Sequence, residues 1–206
     1  MAKWAAHAFD RKLVGLFKDR THWLRMQVRK PRPGNAPSFN KKKVEREITK
    51  LQDLATKCLL HSHAVKGLGD LYDVKKQWHV TASKGFGIDS KGKAFIQWFE
   101  NHIPYDNCVY AFWRNRKCRY IGRTMGGKNR PQSHFQKFWF QGVTRIDIYA
   151  SRGSRDIPRL ECLASHRFKP TYSKIKPASR KWNSKCPICE TRRAVRDEVK
   201  AIFKLR

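Results

Sequence analysis

The sequence contains no apolar run that approaches the ~20 residues needed to span a bilayer. Its opening stretch, MAKWAAHAFDRKL, is interrupted by Asp10, Arg11 and Lys12 before the apolar core of a signal peptide can form. The sequence therefore predicts no membrane segment, no secretion signal and a cytoplasmic location. Apolar residues still make up 40% of the chain and aromatic residues 12%, which argues against wholesale disorder.

Acidic residues are scarce, since the 206-residue chain has 16 Asp and Glu against 46 Lys and Arg, a formal net charge of +30. Repulsion among these charges opposes a compact fold unless a polyanion relieves it, and nucleic acid is the commonest such partner. An anionic membrane surface is the main competing partner. We expect nucleic-acid binding, and the basic residues assigned to it are Lys41, Lys42, Lys43, Arg123 and Lys128.

Cysteines are few, and the six are irregularly spaced. In a chain with no export signal, this pattern favours reduced thiols or metal ligands over a disulfide framework. Cys186 and Cys189, in KCPICE, have the two-residue gap that lets two thiolates bind one tetrahedral ion. This pair alone is half of a zinc site.

The other two zinc ligands have two candidate sources, which are Cys162 with His166, or Cys58 with His61 or His63. Cys58 continues the apolar stripe of its own predicted helix and is expected in the core. Cys162 and His166 lie one turn apart, on the side of their helix away from its apolar face. We therefore favour a structural zinc site of three cysteines and one histidine that fastens the C-terminal tail to this helix.

The hydrophobic pattern predicts three regions along the chain. Residues 1–104 are basic and mainly helical, with a clear amphipathic helix from Lys42 to about Val65. Residues 105–178 give the order strand, strand, helix, strand, helix, which is an α+β unit with a three-stranded antiparallel sheet. Residues 179–206 form a tail with the CxxC pair and a helix.

The segments VYAF (109–112) and RYIG (119–122), followed by Arg130, His134 and Glu161, together resemble the GIY-YIG nuclease family. YIG matches the second motif of the family as written, whereas CVY stands where the family usually has GIY. In the family an arginine follows at the start of a helix, a histidine one turn later and a glutamate on the next helix. The resemblance covers about residues 105–175.

Two positions depart from the pattern of the family. Pro131 directly follows the arginine, and Ser173 stands where the family often has an asparagine. Gly126 and Gly127 predict a turn, and Pro131 suits the first turn of a helix that runs to Phe140. That helix N-terminus would present backbone amides to a phosphate beside the arginine.

The resemblance implies phosphodiester hydrolysis with Mg²⁺ or Mn²⁺, with Tyr110 as the base and with Tyr120 and His134 orienting water or phosphate. Attack on phosphorus concentrates negative charge on the non-bridging oxygens, which Arg130 and a metal held by Glu161 would stabilise. Glu161 falls within the apolar face of its predicted helix, so it needs a partner.

A tyrosine with its ordinary pKa of ~10 is a weak base at neutral pH. The basic surroundings, with Arg123, Arg130 and the metal, are expected to favour the phenolate of Tyr110.

The sequence therefore indicates a metal-dependent endonuclease that acts on double-stranded DNA in preference to RNA, located at the nucleoid or in a phage-infected cell. Restriction, mobile-element or homing, and defence roles stay open. The alternative is a non-catalytic RNA- or ribosome-binding protein that uses the nuclease fold as a platform, since high charge and stacking aromatics fit it equally well. A complete set of Tyr110, Tyr120, Arg130 and Glu161 favours the enzyme.

Overall fold

The computed structural model describes residues 18–20, 22–24, 26, 41–61, 68, 71–80, 88–173 and 186–202. The chain divides into two compact units, one made of residues 68–186 and one made of residues 1–67 with 187–206. Its described helices are α1 (Lys41–His61), α2 (Ile88–His102), α3 (Asn129–Gln132), α4 (Ile157–Phe168) and α5 (Pro187–Ile202). Its strands are β1 (Val74–His79), β2 (Cys108–Arg114), β3 (Lys117–Thr124) and β4 (Arg145–Ala150).

The unit of residues 68–186 is built on an antiparallel sheet with the strand order β1-β4-β2-β3. The α+β class and the antiparallel sheet predicted from the sequence are confirmed. The sheet has four strands, however, where three were expected. The added strand, β1, pairs along its whole length with β4, although its sequence, VKKQWH, is too polar to predict a strand.

The boundary between the units also differs from the expected one. Residues 68–104 pack with the sheet, because β1 extends the sheet and α2 places Phe95 and Phe99 in its core. Contacts between residues in the fold therefore divide the chain after residue 67, whereas the change in hydrophobic pattern along the sequence suggested a boundary after residue 104.

Helices cover both faces of the sheet, and this burial explains why β2 and β4 are buried along nearly their whole lengths. One face carries the aromatic core, in which Tyr110 and Phe112 pack with side chains of α2 and of the segment before β4. The other face packs against α4, where Trp113 and Phe168 meet with ring centroids 5.0 Å apart.

The segment between β3 and β4 does not form the continuous helix expected from Pro131 to Phe140. It contains the four-residue α3 and a 3-10 turn at Phe138–Phe140, which buries Trp139 and Phe140. Gly127 has φ +62° and its N–H donates to the Asp106 carbonyl at 3.1 Å, so the expected glycine turn is present.

The second unit pairs α1 with α5. Val44, Ile48 and Leu51 on one face of α1 pack with Val195 and Val199 of α5, so the C-terminal segment carries a helix with a buried apolar face. Most of residues 1–40, which belong to the region expected to be mainly helical, lie outside the described residues. None of the helices in the described ranges has the length and apolar character needed to cross a membrane.

Candidate functional site

The central feature of the site is the pairing of Tyr110 on β2 with Gly122 on β3. Both residues face the aromatic core side of the sheet, and the Tyr110 ring lies over Gly122. A Cβ at Gly122 would stand 2.5 Å from the Tyr110 hydroxyl oxygen and 2.6 Å from Cζ. Only glycine therefore allows the tyrosine to occupy this position.

His134 completes the centre of the site. The Tyr110 hydroxyl lies 3.0 Å from His134 Nε2, within hydrogen-bonding distance. The Tyr120 ring is the nearest aromatic neighbour of the imidazole, with centroids 4.6 Å apart. The tyrosines of the two motifs and the histidine after Arg130, which the sequence placed in one site, therefore lie together.

The protonation states of this pair follow from burial. Burial lowers the pKa of His134 to about 4, with help from the charges of Arg130 and Lys137, so the imidazole is neutral near pH 7. A neutral Nε2 can accept the hydrogen bond from Tyr110.

Burial also raises the pKa of Tyr110 well above its ordinary value, and Arg130 offsets this only in part. The expected phenolate is therefore not the resting form of Tyr110. In the folded protein, desolvation of the ring outweighs the cation that was expected to stabilise it.

Arg130 is exposed and lies on the short α3. Burial dominates the pKa shifts of Tyr110, Tyr120, His134 and Glu161, and the charge of Arg130 then pulls the pKa of all four downward. Its guanidinium therefore acts on every predicted catalytic side chain. Because α3 has only four residues, the helix N-terminus expected to bind phosphate is not available as a separate site.

Glu161 on α4 is buried, with 8% of its surface exposed. Burial raises its pKa, while Arg123 and Arg130 act in the opposite direction. Its Oε2 lies 3.4 Å from Nε of Arg123, so the partner that the sequence required for this carboxylate includes an arginine of β3. Arg123 had been assigned to nucleic acid.

The Glu161 carboxylate offers a hard oxygen ligand of the type that Mg²⁺ and Mn²⁺ prefer. It belongs to no group of three or more metal-ligating side chains within the described residues. A cation held here would therefore depend on substrate phosphate and water for its other ligands, which is usual for Mg²⁺. A single carboxylate is compatible with such a site, although one of its oxygens contacts Arg123 here.

Of the other basic residues assigned to nucleic acid, Lys128 forms an ion pair with Glu100 of α2. Lys42 is exposed on the first turn of α1. The side chains of Lys41 and Lys43 lie outside the described residues.

Cys162, His166, Cys186 and Cys189 form one cluster, in which the four ligand atoms lie within 4.8 Å of one another. Ligands of one tetrahedral zinc ion lie roughly 3.7 Å apart, given Zn–S bonds of about 2.3 Å, so a small contraction would suffice. The cluster could hold a metal such as zinc. The alternative ligands Cys58, His61 and His63 have side chains outside the described part of the chain.

Cys162 is buried, whereas the helical wheel had placed it away from the core. A helical wheel shows only which residues share the apolar face that α4 turns toward the sheet, and it does not show which other segments cover the rest of the helix. Cys186 is also buried, and its Sγ lies within 4.8 Å of the Cys162 Sγ, so the side of the helix that carries Cys162 is covered as well.

Two neighbours of the site were not expected from the sequence. Lys137 is close enough to lower the pKa of His134, and Trp139 stacks on Tyr120 with centroids 4.8 Å apart and an interplanar angle of 17°. Both depend on the turn that replaces the expected helix, where helical spacing misplaces their side chains.

Comparisons with models of protein families, with curated proteins and with solved structures gave no match.

Proposed function

We propose that this protein is a divalent-metal-dependent endonuclease of the GIY-YIG type, with DNA as its preferred substrate. The observation that carries the proposal is the convergence of five side chains that come from two strands, two helices and a turn of one unit: Tyr110, Tyr120, Arg130, His134 and Glu161. A protein that only binds nucleic acid has no physical need for this combination.

Tyr110 and His134 are proposed to move the proton of the attacking water. The water oxygen forms a bond to phosphorus as the bond from phosphorus to the leaving oxygen breaks, and the leaving oxygen takes the bonding electron pair and then a proton from solvent water. The water proton passes to the Tyr110 oxygen while the Tyr110 proton passes to His134 Nε2, across the 3.0 Å contact. This relay avoids a free phenolate in a buried position.

The pKa of His134, lowered to about 4, describes the protein without substrate, where the charges of Arg130 and Lys137 repel a proton. A bound phosphate brings negative charge to these cations and raises the proton affinity of the imidazole. Substrate binding therefore prepares the relay.

Arg130 is proposed to contact the non-bridging oxygens of the phosphate, where charge develops during attack. Its exposed position leaves the guanidinium accessible to a substrate. Glu161 would hold the cation, which polarises the phosphoryl oxygen when bound. Arg123 holds the Glu161 carboxylate in place through its ion pair.

The substrate class is inferred from charge. A formal net charge of +30 strongly favours a polyanion, and contacts to phosphates supply most of the affinity in such proteins.

The proposal is tested with a Tyr110→Phe variant, which keeps the ring and removes the hydroxyl. We expect cleavage of plasmid DNA in Mg²⁺ to slow by roughly 100-fold or more, as for loss of a positioned acid or base. Tyr149→Phe is the matched control, because Tyr149 is a buried strand tyrosine whose hydroxyl faces Asp147. Equal cleavage by both variants would contradict the assigned role.

We further propose that the cluster of Cys162, His166, Cys186 and Cys189 binds structural zinc. Thiolate and imidazole ligands are those that zinc prefers, and four protein ligands leave no open position for substrate. The helix places Cys162 and His166 one turn apart, and the CxxC spacing brings Cys186 and Cys189 to the same ion. The metal would stabilise this part of the fold and take no part in cleavage.

A further inference from the structure

An aromatic surface extends outward from the candidate active site. Trp139 stacks on Tyr120 at 4.8 Å, and Tyr172 lies parallel to Trp139 with centroids 6.3 Å apart and an interplanar angle of 17°. Phe138 meets the Tyr172 ring edge to face at 5.6 Å. We name Tyr120, Trp139, Tyr172 and Phe138 the aromatic ledge.

The outer end of the ledge is open. Phe138 has 74% of its surface exposed, which is the largest value among the large apolar side chains that the structure describes. The 3-10 turn produces this exposure, because it directs Trp139 and Phe140 into the core and leaves Phe138 outside. A single exposed phenylalanine needs no explanation by itself. Phe138, however, is connected through Tyr172 and Trp139 to Tyr120 of the candidate active site, and this connection suggests a function.

Backbone hydrogen bonds hold the Tyr172 part of the ledge against β3. The Tyr172 N–H donates to the Arg119 carbonyl at 2.8 Å, and the Ile121 N–H donates to the Ser173 hydroxyl oxygen at 2.9 Å. These bonds fasten residues 171–173 along the edge of β3. A binding partner would thus meet the Tyr172 ring, against which Phe138 packs, already in position, which lowers the entropy cost of binding.

Positive charge accompanies the ledge. The Arg119 guanidinium carbon lies 4.6 Å from the Tyr172 ring centroid. Lys137 is exposed, directly precedes Phe138 and is close enough to His134 to lower its pKa. Lys137 is therefore a cation near both His134 and Phe138, and we expect it to contact a phosphate of a bound strand.

We propose that Phe138 stacks on an unpaired base that follows the scissile phosphate, so that DNA with single-stranded nucleotides at the cleavage site is bound more tightly than a continuous duplex. An aromatic ring beside a cation is the usual means of binding unpaired nucleotides, since every base has a π-face. In a continuous duplex these faces are covered by neighbouring base pairs. The inference rests on the nucleic-acid substrate of the proposed function and adds the form of that substrate.

Binding without cleavage tests this inference. Fluorescence anisotropy in EDTA compares a short DNA duplex with the same duplex carrying an unpaired extension. We expect Phe138→Ala to weaken binding of the extended probe by about 5- to 100-fold, as for loss of one stacked base, and to change duplex binding by less than about 2-fold. Phe138→Trp should restore binding, whereas Phe138→Leu, which keeps an apolar side chain, should not.

The control variant is Leu54→Ala, which removes another exposed apolar side chain from the α1 helix and should bind both probes normally. Equal losses on both probes, no loss with Phe138→Ala, or full rescue by leucine would each overturn the inference. Rescue by leucine would do so because leucine keeps an apolar side chain but offers no ring on which a base can stack. Selective loss in a protein that cleaves nothing would refute the nuclease proposal alone. Cleavage without probe selectivity would refute only the ledge.

Discussion

Replacement of Gly122 by alanine is expected to disable the site without removing any of the proposed reacting groups. The added methyl carbon would stand 2.5 Å from the Tyr110 hydroxyl oxygen, whereas ordinary contact begins at 3.4 Å. Tyr110 is fully buried, so its ring has to move by about 1 Å within a packed core. Overpacking of this kind costs about 1–3 kcal/mol of unfolding free energy.

The same displacement affects the proton relay. The Tyr110 hydroxyl now lies 3.0 Å from His134 Nε2, and a shift of about 1 Å away would break that hydrogen bond. Misplacement by this amount costs roughly 100-fold in rate. We therefore expect Gly122→Ala to lower the melting temperature by roughly 3 to 10 °C and to slow plasmid cleavage about 100-fold.

Thermal denaturation followed by circular dichroism and single-turnover cleavage measure the two effects. Gly153→Ala is the matched control, because nothing lies within 4 Å of the Cβ it would add. In a Tyr110→Ala background the methyl group of Gly122→Ala has room, so its stability cost should largely disappear. A Gly122→Ala protein that melts and cleaves as the wild type does would refute the placement of Tyr110 over Gly122.

Three further outcomes are expected. Glu161→Gln should abolish cleavage in gel assays and leave DNA affinity unchanged. Because burial raises the pKa of Glu161, the ionised carboxylate destabilises the folded protein at neutral pH, and the variant should therefore not melt at a lower temperature than wild type. The unfolding free energy of wild type should fall between pH 6.5 and about 4, since only the unfolded His134 takes up a proton there, and His134→Asn should lose this part of the pH dependence in urea titrations. Elemental analysis should find about one zinc per chain, and Cys186→Ser should lose both the zinc and thermal stability, whereas full zinc retention in that variant would exclude the cluster.

The sequence predicted the elements whose signals are local. The first two strands expected in residues 105–178 correspond to β2 and β3, and the amphipathic helix expected from Lys42 corresponds to α1. The CxxC pair pointed to Cys162 and His166, because zinc needs four ligands and helical spacing supplies the second pair. These predictions required only spacing along the chain.

Long-range features were harder to predict. The strand β1 is polar and is specified by its pairing with β4. The local sequence of β1 does not predict this pairing. The raised pKa of Tyr110 depends on how deeply the core buries the ring, and the count of nearby arginines gave the opposite expectation. The ion pair between Arg123 and Glu161 likewise requires the packing of α4 on β3.

Cleavage by wild-type and Glu161→Gln proteins purified in parallel is the most direct test of the nuclease proposal. Plasmid DNA and a structured RNA are incubated with each protein in Mg²⁺, in Mn²⁺ and in EDTA, and the products are separated on gels. We expect cleavage by wild type in the presence of a divalent metal, with DNA cut in preference to RNA, and none by the variant or in EDTA. Identical cleavage by the two proteins, or intact substrates under every condition, would contradict the proposal.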